Sequence, residues 1–287
     1  MSSLKVGVYV HWRKTGAIDS LKALLSALDA VGMRALVEEQ AAQCISVKGH
    51  PLQTVAEESD LIIVLGGDGT ILRLIRDLRG DVRPIMGINF GTLGFLTAFS
   101  GPGFHEALKA LQEGNYRVDE RTLLEVSLVR EGEVVVRQLG LNDVVLTRGE
   151  RSRLVQVEVQ IDGELLSEYN ADGLIVATST GSTAYSLSAG GPIVMPRSGV
   201  LVVTPICPHA LTNRSVVVSN RSIISVRASR GEFPLMLSVD GQDSGQVIAS
   251  DLVKVAAGDR RVPLLFPRQF TFADILRSKL RWSGSNI

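Results

Sequence analysis

Five consecutive apolar residues, Leu61, Ile62, Ile63, Val64 and Leu65, run directly into Gly66-Gly67-Asp68-Gly69-Thr70, and no other stretch constrains the fold of the 287-residue chain as strongly. An apolar run without alternation suits a strand covered on both faces, as in parallel sheets. Ile71, Leu74, Ile75 and Leu78 then recur at helical spacing, so the glycine loop is a strand-to-helix turn. Gly66, Gly67 and Gly69 let the backbone approach a ligand and turn its N–H groups toward it, and Thr70 is placed to cap a helix whose N-terminus favours phosphate. Asp68 is the odd member. A carboxylate beside phosphate is repelled unless it holds a metal ion or takes a proton from an attacking hydroxyl, and both are roles in phosphoryl transfer. An Asp-Gly pair is also an ordinary turn former, so the rest of the chain has to decide.

Around this turn, Lys5 to Val10 reads as a strand, and Ile18, Leu21, Leu25, Leu28 and Val31 mark one face of a helix closed by Gly32. A second strand is expected over 34–37, a short helix over 51–59, a helix over 70–78 and another strand over 83–88. Such alternation implies a mainly parallel sheet in an α/β domain. Residues 89–96 form a second glycine-containing loop, and loops at the carboxyl ends of neighbouring parallel strands converge on one crevice. After a helix over 104–112 the texture changes. Val155, Val157, Val159 and Ile161 alternate with polar residues before an Asp162-Gly163 turn, and short strands recur from residue 123 to residue 256. The expected division is therefore an α/β domain over 1–120, a β-rich, sandwich-like domain over 121–260, and a tail over 261–287 that returns to the first domain, with a helix over 272–280.

The β-rich half carries the second large signal. Seven hydroxyl side chains fall between Thr178 and Ser188, with Gly181, Gly190, Gly191 and the ring of Tyr185 among and after them. Hydroxyls, small residues and one ring suit a nucleoside, whereas a helix cap needs one hydroxyl only. Asn142-Asp143 and Val239-Asp240-Gly241-Gln242 are shorter polar turns, each explained by itself as turn chemistry.

Composition narrows the function classes. Thirty basic and thirty acidic residues cancel, so no global field favours nucleic acid or an anionic membrane, and an anionic ligand has to be met locally. Arg148, Arg151 and Arg153 form one local cluster suited to phosphates, a solvated loop or a subunit contact. Cys44 and Cys207 fit reduced thiols, and the apolar run Val6–Val10 is too short for a signal peptide or a membrane span, which points to the cytoplasm.

Taken together and in order, Gly66-Gly67-Asp68-Gly69-Thr70, residues 89–95, Asn142-Asp143, the stretch 180–192 and Val239-Asp240-Gly241-Gln242 resemble the NAD kinases over nearly the whole chain. The stretch 180–192 is the most specific part, because lipid kinases and phosphofructokinases share the glycine-aspartate loop. The resemblance implies phosphorylation of the 2′-hydroxyl of the adenosine ribose of NAD to give NADP, with ATP, or alternatively polyphosphate, as donor. It also implies a divalent metal, Mg²⁺, arriving with the nucleotide and no metal ligand assigned from the protein, in a homodimer or homotetramer. Carried over, Asp68 is the catalytic carboxylate, with Gly67, Gly69 and Thr70 near the phosphates. Phe95, Asn142, Asp143, Asp172, Thr183, Ala184, Tyr185 and Ser188 line the dinucleotide site. Most members have glutamate where this chain has Asp143 and proline where it has Ser179. A kinase of a lipid or sugar, or a dinucleotide-binding regulator without turnover, remains the alternative reading of the loop alone.

Overall fold

The computed structural model describes residues 4–91, 93–100, 104–149, 154–230 and 234–282. The chain forms two compact units, Met1–Glu120 with Val262–Ile287, and Arg121–Arg261.

In the first unit the parallel strands lie in the order Ile85–Asn89, Leu61–Leu65, Lys5–Val10, Arg34–Glu38, Gly49–His50. All five residues of Leu61–Leu65 and of Ile85–Asn89 are buried, as strands covered on both faces must be. Helices Ala17–Ala30, Leu52–Glu58, Asp68–Asp77 and Phe104–Glu113 follow strands in the chain. Close helix–strand packing explains Gly7: a Cβ there would lie 2.6 Å from Ser59 Oγ and 2.8 Å from Val55 Cγ1. Chain order runs outward in both directions from Lys5–Val10, so the order reverses between that strand and Leu61–Leu65. The loops after Val10 and Leu65 therefore flank the switch point, where open α/β sheets leave a ligand crevice. The terminal helix Phe272–Leu280 begins with a capping box between Thr271 and Asp274.

The second unit holds two antiparallel sheets. One is the six-stranded array Val216–Ser219, Val200–Ile206, Gly173–Thr178, Asp143–Thr147, Leu235–Val239, Gln242–Val247. The other runs in the order Glu164–Ala171, Val155–Ile161, Ile224–Arg230, Leu252–Pro267, and the last of these also pairs with Tyr116–Arg130, which pairs with Glu133–Gly140. Leu124, Val126, Val144, Val157, Leu174, Val176, Val226 and Leu237 belong to one shared core, which makes this a sandwich. Gly173–Thr178 is buried at all six positions because it serves two cores. Leu174 and Val176 face the sandwich, while Ile175 and Ala177 pack with Val194 on the opposite face. The hydroxyl-rich turn and the segment after it thus cover the outer face of that strand.

Periodicity gives no sign of the short strands Gly49–His50 and Phe99–Ser100, of Glu164–Ala171, which completes the hairpin at Asp162-Gly163, or of Gln242–Val247 after the turn at Asp240, and Tyr116–Arg130 begins seven residues before the anticipated Leu123. Charged residues interrupt the apolar pattern at the start of Tyr116–Arg130: Asp119 and Arg121 are buried within it. Leu252–Pro267 likewise continues eleven residues beyond residue 256. No helix among the described residues is long and apolar enough to cross a membrane.

Candidate functional site

In the first unit the Asp68 carboxylate ties together the loops that follow two adjacent strands. Its Oδ2 accepts the Phe95 N–H at 2.8 Å and its Oδ1 accepts the Leu96 N–H at 3.1 Å. Gly94 makes this approach possible, since a Cβ there would fall 1.9 Å from Asp68 Oδ1. The Gly94 N–H goes to Thr97 Oγ1 at 2.6 Å, so the loop is braced from within. Gly67 faces Asn89, whose Nδ2 lies 3.5 Å from the position of an added Cβ, and nothing lies within 4 Å of such a Cβ at Gly69. Phe95 packs its ring 6.3 Å from that of Phe272, centroid to centroid. Gly67, Asp68, Gly69 and Phe95 are thus gathered at one end of the parallel sheet.

Thr70 takes a different place from the expected one. The helix begins at Asp68, with Gly67 as its N-cap and no capping side chain. Thr70 is buried in the first turn, and its Oγ1 fills the space where a Cβ on Gly66 would come within 2.2 Å. A carboxylate, not a hydroxyl, occupies the first helical position, where the helix dipole favours negative charge. The loop after Val10 also brings cations that the sequence reading passed over. Arg13 and Lys14 are exposed, and Lys14 Nζ lies 5.9 Å from the ring centroid of Phe90, in the loop that follows Asn89. Switch-point topology, not residue type, is the signal that finds them.

In the second unit the polar turns converge. Asp240, at the end of strand Leu235–Val239, accepts the N–H groups of Leu141 and Asn142 at 2.7 Å each and of Asp143 at 3.1 Å. The Asp143 carboxylate is buried beside it and accepts the Tyr185 N–H. Burial first, and the charge of Asp240 second, push Asp143 up to about 7, against the smaller downward pull of that N–H. Asn142 is pressed against the turn: its carbonyl accepts the Thr178 N–H at 2.9 Å, and its backbone leaves no room for a Cβ on Gly181.

Most of the hydroxyls are committed to the fold. Thr178, Ser179, Thr180, Ser182 and Ser186 are buried. Thr178 Oγ1 donates to Leu141 O at 2.6 Å and accepts the Gly181 N–H at 3.0 Å; Ser182 Oγ donates to Ser179 O at 2.7 Å and accepts the Val194 N–H at 3.0 Å. Thr180 Oγ1 accepts from Arg121 at 3.4 Å, and Ser186 pairs with Thr204 at 3.1 Å. Hydroxyl enrichment here therefore builds a rigid turn; Thr183, whose Oγ1 donates to Thr180 O at 3.1 Å, Ala184, Tyr185 and Ser188 are among the positions it leaves accessible. Gly181 and Gly191 likewise admit the protein's own backbone and side chains, in place of the ligand that the sequence suggested.

Asp172 stands apart. Ala177 pairs with Asp143 and Gly173 with Thr147, so the six-residue strand holds Asp172 roughly 15 to 20 Å from Asp143. There Asp172 Oδ1 accepts Arg148 Nε at 2.7 Å. That ion pair leaves Arg148 engaged within the chain, and Arg151 and Arg153 lie outside the described residues. Among the described residues no three His, Cys, Asp or Glu side chains converge as a metal cage.

These arrangements have counterparts among known proteins. Residues 16–116 match the family model of the ATP-NAD kinase N-terminal domain, and residues 141–265 that of the ATP-NAD kinase C-terminal domain. The NAD kinase of Geotalea daltonii is 39% identical over 280 residues, 97% of this chain and 98% of that protein. The NAD kinase of Chlorobium luteolum is 40% identical over 282 residues, 97% of each chain. Among solved structures, yeast NADH kinase complexed with NADH superposes with a TM-score of 0.87 at 27% identity, covering 99% of this chain and 89% of that one. An NAD kinase from Archaeoglobus fulgidus in complex with ATP gives 0.74 at 26% identity, covering 98% of this chain and all of the other. The likeness spans both units and the loops that carry Asp68, Asp143 and Tyr185, and on that ground the chain belongs to the NAD kinase family.

Proposed function

We propose that the protein transfers the γ-phosphoryl group of ATP to the 2′-hydroxyl of the adenosine ribose of NAD, giving NADP and ADP. The observation that carries the mechanism is Asp68, fixed at the start of a helix by two backbone N–H bonds from the neighbouring loop. Each carboxylate oxygen uses one acceptor direction for those bonds and keeps another for the substrate. As the ribose oxygen bonds to the γ-phosphorus and the bond to the β-phosphate oxygen breaks, Asp68 takes the hydroxyl proton and ADP leaves. Backbone N–H groups around Gly67 and Gly69, with the exposed charges of Arg13 and Lys14, address the donor phosphates. An Mg²⁺ ion arriving with ATP would neutralise charge on the phosphates, and the free acceptor directions of the Asp68 carboxylate would suit it. Asn142, Asp143, Thr183, Ala184, Tyr185 and Ser188 hold the dinucleotide. Asp172 lies at the far end of the adjoining strand, where it pairs with Arg148. The reaction belongs in the cytoplasm, and exposed Val134, Val135 and Leu165 suit a subunit contact in a homodimer or homotetramer. The direct test is NADP formation by the purified protein with NAD or NADH against ATP or polyphosphate; absence of NADP with every pair rejects the assignment.

Two substitutions probe the binding groups separately. Gly69→Ala meets nothing within 4 Å in the free protein, so its melting temperature stays at the wild-type value. A methyl group at the phosphate approach is expected to raise KM for ATP by about tenfold, the scale of one lost charged hydrogen bond. An unchanged KM for ATP removes Gly69 from the phosphate site. Tyr185 is 45% exposed, too open for its ring to act mainly as a core anchor. Tyr185→Ala is expected to weaken NAD binding by about 1 to 3 kcal/mol, the range for a base stacked on an aromatic ring, with little change in apo stability. Loss of stability with unchanged KM for NAD returns the ring to a packing role.

A further inference from the structure

The corner where Asp143 meets Asp240 is built for one negative charge, and the two carboxylates are not equivalent. Asp240 accepts three successive backbone N–H groups, those of Leu141, Asn142 and Asp143, a set of donors that favours an ionised carboxylate. Asp143 sits buried on the first residue of the adjoining strand and receives the N–H of Tyr185. The Asp240 N–H in turn donates to the Asp143 carbonyl at 2.9 Å, so the two residues are held against each other by bonds in both directions. The neighbouring strand Gly173–Thr178 brings Ala177 opposite Asp143 and no charge. The hydroxyl-rich turn brings Tyr185, and Arg121 is buried with its Nη1 on Thr180 Oγ1 at 3.4 Å.

We propose that Asp240 is a positioning residue that carries the negative charge of this pair, so that Asp143 meets the dinucleotide as a neutral carboxyl and donates its proton in a hydrogen bond to a ribose oxygen or an unprotonated ring nitrogen. This rests on the dinucleotide reading of the site and gives Asp143 the part of a donor in it. The shorter aspartate arm serves that role, because it keeps the carboxyl within the field of Asp240 and away from water. Burial and Asp240 raise Asp143 to about 7, and this agrees with the geometry. The proton-bound form is the binding form. Affinity for NAD is therefore complete below neutral pH and is lost as pH rises through that region.

Two measurements on the full chain test this. In the apo protein labelled with ¹³C at aspartate carboxyls, the Asp143 resonance, assigned by its absence in Asp143→Asn, is expected to titrate near pH 7; a midpoint below pH 5 overturns the proposal. In steady-state assays, KM for NAD is expected to rise by about tenfold or more between pH 6 and pH 9, as the binding form is depleted. Asp143→Asn keeps a donor that cannot ionise and is expected to flatten that rise. Asp240→Asn is expected to shift the rise, and the carboxyl resonance of Asp143, downward by about one pH unit or more, since the neighbouring charge is gone. Asparagine tolerates the left-handed backbone at Asp240, where φ is +48°, and the wild-type and Asp143→Asn data decide the matter even if that variant does not fold. A KM profile in Asp143→Asn identical to wild type overturns the proposal. Absence of NADP at every pH, with Asp143 still titrating near 7, would instead overturn the assigned activity and leave the proton where it is placed here.

Discussion

Asp68→Asn is expected to lower kcat by about 100-fold or more, a loss of roughly 2.7 kcal/mol in transition-state stabilisation, while KM for NAD stays within about threefold. The substitution keeps the size of the side chain and removes its ability to take a proton. It also tests a structural part. The carboxylate accepts one N–H on each oxygen, from Phe95 and Leu96, whereas an amide offers only one oxygen and sets an NH₂ group against the other donor. One weakened or lost hydrogen bond costs about 1 to 3 kcal/mol where the donor is buried, and less here because the loop is only partly so. A fall in kcat with a small change in melting temperature separates the proton acceptor from the loop anchor. Turnover within tenfold of wild type contradicts the mechanism; a collapse of apo stability with kcat recovered at low temperature assigns Asp68 to the loop alone.

Gly181→Ala is expected to be the most destabilising single-methyl change in the second unit. A Cβ there would stand 2.0 Å from Asn142 O, 2.4 Å from its carbonyl carbon and 2.7 Å from its Cα, all of them backbone. Neither side is free to move away. Gly181 N–H is bonded to Thr178 Oγ1, Thr178 in turn to Leu141 O and Asn142 O, and Ser182 to Ser179 and Val194. Overpacking a rigid site costs about 3 kcal/mol at the upper end of its usual range. In a chain of this size that is a fall of about 6 to 12 °C in melting temperature, with KM for NAD rising because Asn142 and Asp143 are displaced. A melting temperature within about 2 °C of wild type shows that the turn yields, and removes the argument that its hydroxyls make it rigid.

Much of this was legible in the chain itself. Unbroken apolar runs at Leu61–Leu65 and Gly173–Thr178 announced strands covered on both faces, and alternation in Val155–Ile161 announced an antiparallel hairpin, because period and burial are properties of the local sequence. The loop with Asp68 was readable for the same reason: glycines and one carboxylate between a strand and a helix leave few structural explanations. The order of the motifs along the chain was enough to suggest the family that the comparisons establish.

What the sequence could not supply were partners distant along the chain. It placed Asp240 in a turn, but only folding brings its carboxylate to the N–H groups of residues 141–143, nearly a hundred positions earlier. Seven hydroxyls in a short stretch pointed to a nucleoside. Folding engages six of them in hydrogen bonds within the protein, because a buried hydroxyl without a partner is costly and the nearest partners are the protein's own groups. The resemblance groups Asp172 with Tyr185, and the rise of the strand Gly173–Thr178 lies between them. Residue types, periods and glycines determine which elements form and which chemistry the chain carries. Which donor meets which acceptor, and whether a buried carboxyl such as Asp143 keeps its proton, depend on distances and dielectric surroundings that exist only once the two sheets and the turn are packed together.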